Sequence, residues 1–215
     1  MDADYKFIYV DVGCNGRISD GGVFKNCSLY HPMEANNLNM NSKCRLPGID
    51  TDVPYAFVAD DAFPLKTYIL KPYGQPNLTK QKRVFNYRLS RSRRIVENAF
   101  GILANRFRVF MQPIALSPSK VESVVLACVA LHNFLRTNIG ARAVYTPPGY
   151  FDNEDTSTGE IQPGEWRSEP EPAGLVPLHY QSSGRAADAA KDVRELLCEY
   201  FNSPEGEVSW QWKMN

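Results

Sequence analysis

The sequence predicts an α/β fold followed by C-terminal helices. Three observations carry that prediction. Two short runs rich in aromatic and β-branched residues, Phe7–Val12 and Tyr55–Ala59, have strand composition. Two long proline-free stretches, from about Asn86 to Arg108 and from Val121 to about Arg136, have helical composition and length. A third helical stretch runs from Arg185 to Phe201 near the end of the chain.

Taken in order, Phe7-Ile8-Tyr9-Val10-Asp11-Val12 reads as a strand. Gly13 to Gly22 is glycine-rich and turn-like, and Ser19-Asp20 caps a short helix through Val23-Phe24. Residues 31–50 are polar and read as a loop. The run Tyr55–Ala59 ends at Asp60-Asp61, which places carboxylates at the tip of a buried strand. Pro64, Pro72, Gly74 and Pro76 keep the next stretch irregular. Thr79 caps the long helix, in which Val96, Phe100, Leu103 and Phe107 recur at helical spacing as a buried stripe. Ser117-Pro118-Ser119 opens the next helix, whose apolar residues on most sides predict a central position. Residues 141–184 are acidic and proline-rich and read as a flexible connection. On Arg185–Phe201, Val193, Leu196, Leu197 and Phe201 share one side, and an aromatic tail through Trp210 and Trp212 docks back. The expected domains are therefore 1–140, 141–184 and 185–215.

The chain has 215 residues with 24 basic and 24 acidic side chains, so its formal charge is zero. The charges are segregated rather than mixed. Residues 80–108 hold nine bases around the single acid Glu97, a net of about +8, whereas residues 152–171 hold seven acids and one base, Arg167, a net of about −6. The basic segment fits a phosphate-rich partner bound in a salt-dependent, sequence-blind manner. The opposite charges also raise the idea that residues 152–171 cover the basic helix as DNA would. No apolar run approaches the roughly 18 residues of a membrane span, and the N-terminus lacks the pattern of a secretory signal. Five scattered cysteines without a C-x-x-C fit a reducing compartment; Cys14, Cys27, His31 and Cys44 have no usual zinc spacing.

Strand-tip Asp60 and mid-helix Glu97 are the candidate chemistry. Two-metal phosphoryl transfer needs hard carboxylate oxygens converging from different elements. An acid inside a basic helix binds a metal or pairs with a neighbouring arginine, and Arg93 and Arg94 lie one turn away on its face. The His132-Asn133 pair, set in an apolar helix, reads as a hydrogen-bonded core pair rather than as a catalytic histidine.

Four motifs then resemble the PIF/Harbinger transposases and their derived nucleases. Val58-Ala59-Asp60-Asp61-Ala62-Phe63-Pro64-Leu65 is similar to the family's "GDsGYPL" motif. Residues Phe85 to Leu103, continued by Arg106-Phe107-Arg108, resemble its "FNyrhSraRrvVEraFGrLK" helix. Leu126 to Leu135 resembles its "AcciLHNfL" helix, and Asn15 to Phe24 its "pGsvhDsrvf" segment. The order is right over roughly residues 5–137, and Arg194 to Gln211 resembles the family's C-terminal helix and "WQ" ending.

The resemblance implies an RNase H-like DDE core that cuts DNA with Mg²⁺ or Mn²⁺. In it Asp60 matches the second catalytic and metal-binding acid, Glu97 the third, and Asp61 a neighbour. Arg88, Arg91, Arg93 and Arg94 would hold the DNA backbone. The family's first acid lies in an "IDGTH"-like strand upstream of the position matching Phe7, so the expectation is a core missing its first strand and an incomplete enzyme. The resemblance further implies a nuclear protein, with the cytoplasm as the alternative, no membrane, and a separate Myb/SANT-like partner for sequence recognition. The competing readings are a domesticated, non-catalytic DNA- or chromatin-binding protein and an unstable fragment without function.

Overall fold

The computed structural model describes residues 1–14, 18, 20–38, 43–74, 76–155, 157–170 and 186–213. Its elements in chain order are α1 (Asp20–Asn26), α2 (Tyr30–Glu34), β1 (Lys43–Arg45), β2 (Asp52–Pro54), β3 (Phe57–Val58), β4 (Ile69–Leu70), α3 (Lys80–Arg106), α4 (Pro118–Thr137), α5 (Ile139–Tyr145), β5 (Asn153–Glu154), β6 (Ile161–Gln162) and α6 (Asp188–Phe201). The result is a mixed α/β chain with short strands. Among the described residues the strands form three two-stranded sheets: β1–β2 antiparallel, β3–β4 parallel and β5–β6 antiparallel. Asn15–Arg17, the Ser19 cap and residues 171–185 lie outside the described residues. No single described helix is long and apolar enough to cross a membrane.

The chain divides into two compact units. The first comprises Met1–Asn15, Arg94–Thr156 and Glu160–Pro177; the second comprises Gly16–Arg93, Ser157–Gly159 and Leu178–Asn215. Each is built around its own apolar core.

In the second unit, Val84, Phe85 and Leu89 of α3 are buried, and Phe85 and Leu89 pack with Val53, Leu70, Tyr73, Leu197 and Cys198. Thr79 caps α3 as read from the sequence, its hydroxyl accepting the Lys82 N–H at 3.3 Å. The polar stretch read as a loop contains α2 and β1, and the irregular stretch contains β4. Such two- to five-residue elements are too short to leave a period in the sequence.

In the first unit, Phe7 packs with Leu103, Ala104, Phe110, Cys128 and Val129. The predicted strand Phe7–Val12 does not form. Its entry point is claimed by a side chain: the Phe7 N–H donates to Asn133 Oδ1 at 2.9 Å, and Asn133 Nδ2 donates to the Phe7 carbonyl at 2.9 Å. A carboxamide thus replaces the neighbouring strand at that residue.

Arg136 continues the clasp, donating from Nε and Nη2 to the Asp4 carbonyl at 3.1 and 3.0 Å and from Nη1 to Thr146 at 2.6 Å. Between them His132, fully buried, lies 2.7 Å from the Tyr5 carbonyl through Nε2 and 2.8 Å from the Tyr145 hydroxyl through Nδ1. A carbonyl only accepts, so Nε2 carries the proton and Nδ1 accepts from the phenol. His132 and Asn133 are therefore core hydrogen-bonding residues.

This polar set fixes which side of α4 faces inward, and it corrects the central placement expected for that helix. Cys128, Val129, His132 and Arg136 are buried, whereas Leu126, Leu131 and Phe134 are 48%, 50% and 62% exposed. The buried stripe expected on α3 holds in its second half and is corrected in its first: Leu103 is buried and Phe107 packs against the core, but Val96 and Phe100 are exposed, and Asn98, Ala99, Ile102 and Ala104 are buried.

Burial and the nearby Arg136 hold the His132 pKa below its ordinary value, against the opposing pull of the Tyr5 carbonyl. A histidine kept neutral in the folded state binds its proton first in the unfolded chain. Stability is then complete above about pH 6.5 and falls as pH drops through that value. Urea denaturation between pH 7 and 5.5 should show this loss, and His132→Gln should flatten it.

Candidate functional site

Asp60 stands two residues beyond the end of β3, where the Ala59 N–H still donates to the Leu70 carbonyl at 2.8 Å. Its Oδ1 accepts the Ala62 N–H at 3.0 Å, a local turn that fixes the carboxylate at the strand tip. Its other oxygen lies 3.7 Å from Arg93, with both side chains about one-third exposed. Neighbouring Asp61 pairs with Lys71 at 3.6 Å. All of these residues belong to the second unit.

Glu97 belongs to the first unit and has a different partner. Its carboxylate, 55% exposed, lies 3.8 Å from Arg167. The two arginines one turn away, which the spacing offers as partners, are engaged elsewhere. Arg93 faces Asp60, and Arg94 donates to Glu154 at 2.7 Å with both side chains largely buried.

Arg167 is itself firmly placed. Its Nε and Nη2 donate to the two oxygens of Asp152 at 2.8 and 2.6 Å, and its guanidinium stacks 4.3 Å from the Trp166 ring. The Asp152 side chain has no exposed surface. Burial pushes its pKa up, but Arg167 and the Gly164 N–H at 2.9 Å more than offset this and hold it below the usual carboxylate value. Burying a carboxylate is costly unless it is paired and hydrogen-bonded, and here it is both.

The described part of the acidic segment is thus ordered along α3. Asn98 Oδ1 accepts from the Asp152 N–H at 3.1 Å and from the Trp166 indole at 2.6 Å. Asn105 donates to the Trp166 carbonyl at 2.7 Å. Arg108 and Glu169 form an exposed pair at 3.9 Å. Sequence reasoning found the opposite charges and missed Trp166 and the α3 residues that meet it, Asn98, Gly101 and Asn105, whose shared helical face becomes visible only once Arg94 and Glu97 are added to it.

The arginines expected to hold DNA have internal partners. Arg88 donates to the Gly206 carbonyl at 3.0 Å and to Gln211 at 3.1 Å, and lies 4.6 Å from the Phe201 ring. Arg91 stacks 5.1 Å from Trp210. Lys80, also at the start of α3, is exposed and lies 5.2 Å from the Trp212 ring, and Arg83 is exposed as well.

Asp60 and Glu97 offer the hard oxygen donors that Mg²⁺ or Mn²⁺ requires. Yet in neither unit do the described residues bring three His, Cys, Asp or Glu side chains together, and each acid already has a guanidinium beside it. As arranged, the donor set does not fit a divalent cation.

Residues 1–133 match the family described as DDE superfamily endonuclease. The chain is also similar to "Protein ALP1-like" of Arabidopsis thaliana, 28% identical over 138 residues that cover 63% of this chain and 33% of that protein. It therefore spans about a third of the length of that curated relative. No solved structure matches.

Two stability effects are expected. Asp152→Asn should cost about 1–3 kcal/mol in urea unfolding, below the full buried-pair value because Arg167 is 42% exposed. Arg88→Ala should lower the melting temperature as measured by circular dichroism, because it removes the guanidinium that donates to the Gly206 carbonyl and to Gln211; an unchanged melting temperature would contradict that structural role.

Proposed function

Because the chain belongs to the DDE superfamily endonucleases, of the Harbinger type, we propose that it is the DNA-processing part of a phosphodiester-cleaving protein. The observation that carries this reading is the match over residues 1–133, which contains both Asp60 and Glu97. The family implies an RNase H-like core and generally uses divalent metals. In this reading Asp60 and Glu97 are the catalytic and metal-binding acids, with Mg²⁺ or Mn²⁺ as the cofactor.

DNA is the substrate class. Arg91 and Arg93, with the exposed Lys80 and Arg83, hold its backbone by charge, and Arg88 and Arg94 support them by fixing the helix to its neighbours. Such contacts neutralise phosphates without reading bases, so sequence choice falls to a separate protein of the Myb/SANT-like kind, and the site of action is the nucleus.

A second reading, a non-catalytic DNA- or chromatin-binding protein, is favoured by one observation: both acids are charge-balanced by arginine. Nicking of supercoiled plasmid in Mn²⁺ separates the two. The endonuclease reading predicts nicking that falls roughly 100-fold or more in Asp60→Asn and Glu97→Gln, the scale seen when a group stabilising the transition state is removed. Equal activity in all three proteins rules that reading out. Absence of nicking, combined with DNA binding that weakens steeply with salt, supports the second reading.

A further inference from the structure

The first unit holds a cleft of about 730 Å³ lined by two arginines, Arg136 and Arg142. Its walls come from the first residues of the chain, the end of α4, α5 and the stretch that follows α5. Arg136 is fixed in the wall. It is only 6% exposed, and its three nitrogens donate to the Asp4 carbonyl and the Thr146 hydroxyl. Its guanidinium carbon lies 5.4 Å from the Tyr5 ring and 5.0 Å from the Phe151 ring, and those two rings stack on each other at 4.1 Å.

Every one of these partners is neutral. A carbonyl, a hydroxyl and aromatic faces accommodate a guanidinium but do not cancel its charge. Of its five N–H groups, one on each terminal nitrogen has no acceptor among the described residues. Arg142, on α5, is exposed, and its side chain has no acceptor and no ion-pair partner among the described residues. The acids of the cleft, in contrast, each have a cation of their own. Arg167 takes both oxygens of Asp152 at 2.8 and 2.6 Å, and Asp4, 70% exposed, lies 3.9 Å from Lys6, which also faces Asp2 at 3.5 Å. Burial and the like charge of Arg142 hold the Arg136 pKa below its ordinary value, against the weaker opposing pull of Tyr5, Asp4 and Tyr145. The cleft thus carries two positive charges without a paired anion among the described residues.

We propose that this cleft binds the phosphate group of a small phosphorylated molecule, anchored by the guanidinium groups of Arg136 and Arg142. Arginine forks match the oxygens of a phosphate, and two forks from different elements suit its several oxygens better than the two of a carboxylate. Arg136 is already immobilised, so little side-chain entropy is lost when an anion arrives. The volume far exceeds that of a bare phosphate and falls in the range of small-molecule sites. Pro147 and Pro148 give the remainder of the ligand an apolar wall. Neither Asp60 nor Glu97 lines the cleft, so the site stands under either reading of those acids.

The test is titration calorimetry on the full chain with AMP, inorganic phosphate and adenosine, at physiological salt so that loose surface attraction is screened. AMP should bind and adenosine should not. Inorganic phosphate separates the two sources of the anion: weaker binding than AMP supports the phosphorylated molecule, whereas equal binding overturns it in favour of the free ion. Arg142→Gln removes a side chain without internal partners, so its melting temperature should match the wild type. It should weaken AMP binding roughly tenfold, the scale of one lost charge-assisted hydrogen bond.

Arg136 holds the fold together as well as lining the cleft, so it is followed in the wild type without substitution. Its side-chain Nε–H signal in nitrogen–proton spectra should shift as AMP is added. The proposal is overturned if AMP does not bind, if adenosine binds as well as AMP, if Arg142→Gln leaves the affinity unchanged, or if the Arg136 signal stays where it is.

Discussion

A carboxylate with no exposed surface governs the arrangement around Glu97. Asp152 lies in a place where an unpaired charge would not be tolerated, and Arg167 satisfies both of its oxygens while the Gly164 backbone supplies a further donor. Once Arg167 is committed there, its neighbour Trp166 falls against Gly101 and Asn98, and the remaining charge of the guanidinium faces Glu97. The partner of Glu97 is thus set by the needs of a buried carboxylate. The same constraint orders the described part of a segment whose composition alone, acidic and rich in proline, describes a flexible connection.

A comparable economy operates on α4. His132, Asn133 and Arg136 each spend their polar atoms on the first few residues of the chain or on the stretch that follows the helix. Buried polar groups must be satisfied, so these side chains determine which face of the helix turns inward. Apolar Leu126, Leu131 and Phe134 are left on the outer side as a result. Polar residues, not apolar ones, decide the orientation of the most apolar helix in the chain.

The sequence made the long elements legible because they repeat a signal many times. The α3 and α4 helices extend over 27 and 20 residues, and their capping and proline positions mark where they begin. Strands of two or three residues repeat nothing, so only β3, ending beside Asp60, was within reach. Asp60 at a strand tip and Glu97 within a basic helix were legible as residue types in a telling place. Their partners were not. Helical spacing offered Arg93 and Arg94 to Glu97, but an ion pair is decided by distance in the fold, and Arg167 lies 70 positions further along the chain. The basic run likewise looked like one surface for phosphate. Packing divided it into arginines with internal partners, such as Arg88 and Arg94, and side chains left at the surface, such as Arg83.

The central claim is that arginine, rather than metal, balances Glu97 in the resting chain. Anomalous diffraction at the manganese edge, on wild-type crystals grown without DNA and soaked in Mn²⁺, tests it at the atom concerned. The account predicts no manganese at Glu97 while Arg167 remains bidentate on Asp152. Manganese bound to Glu97 with Arg167 still in that position would contradict it.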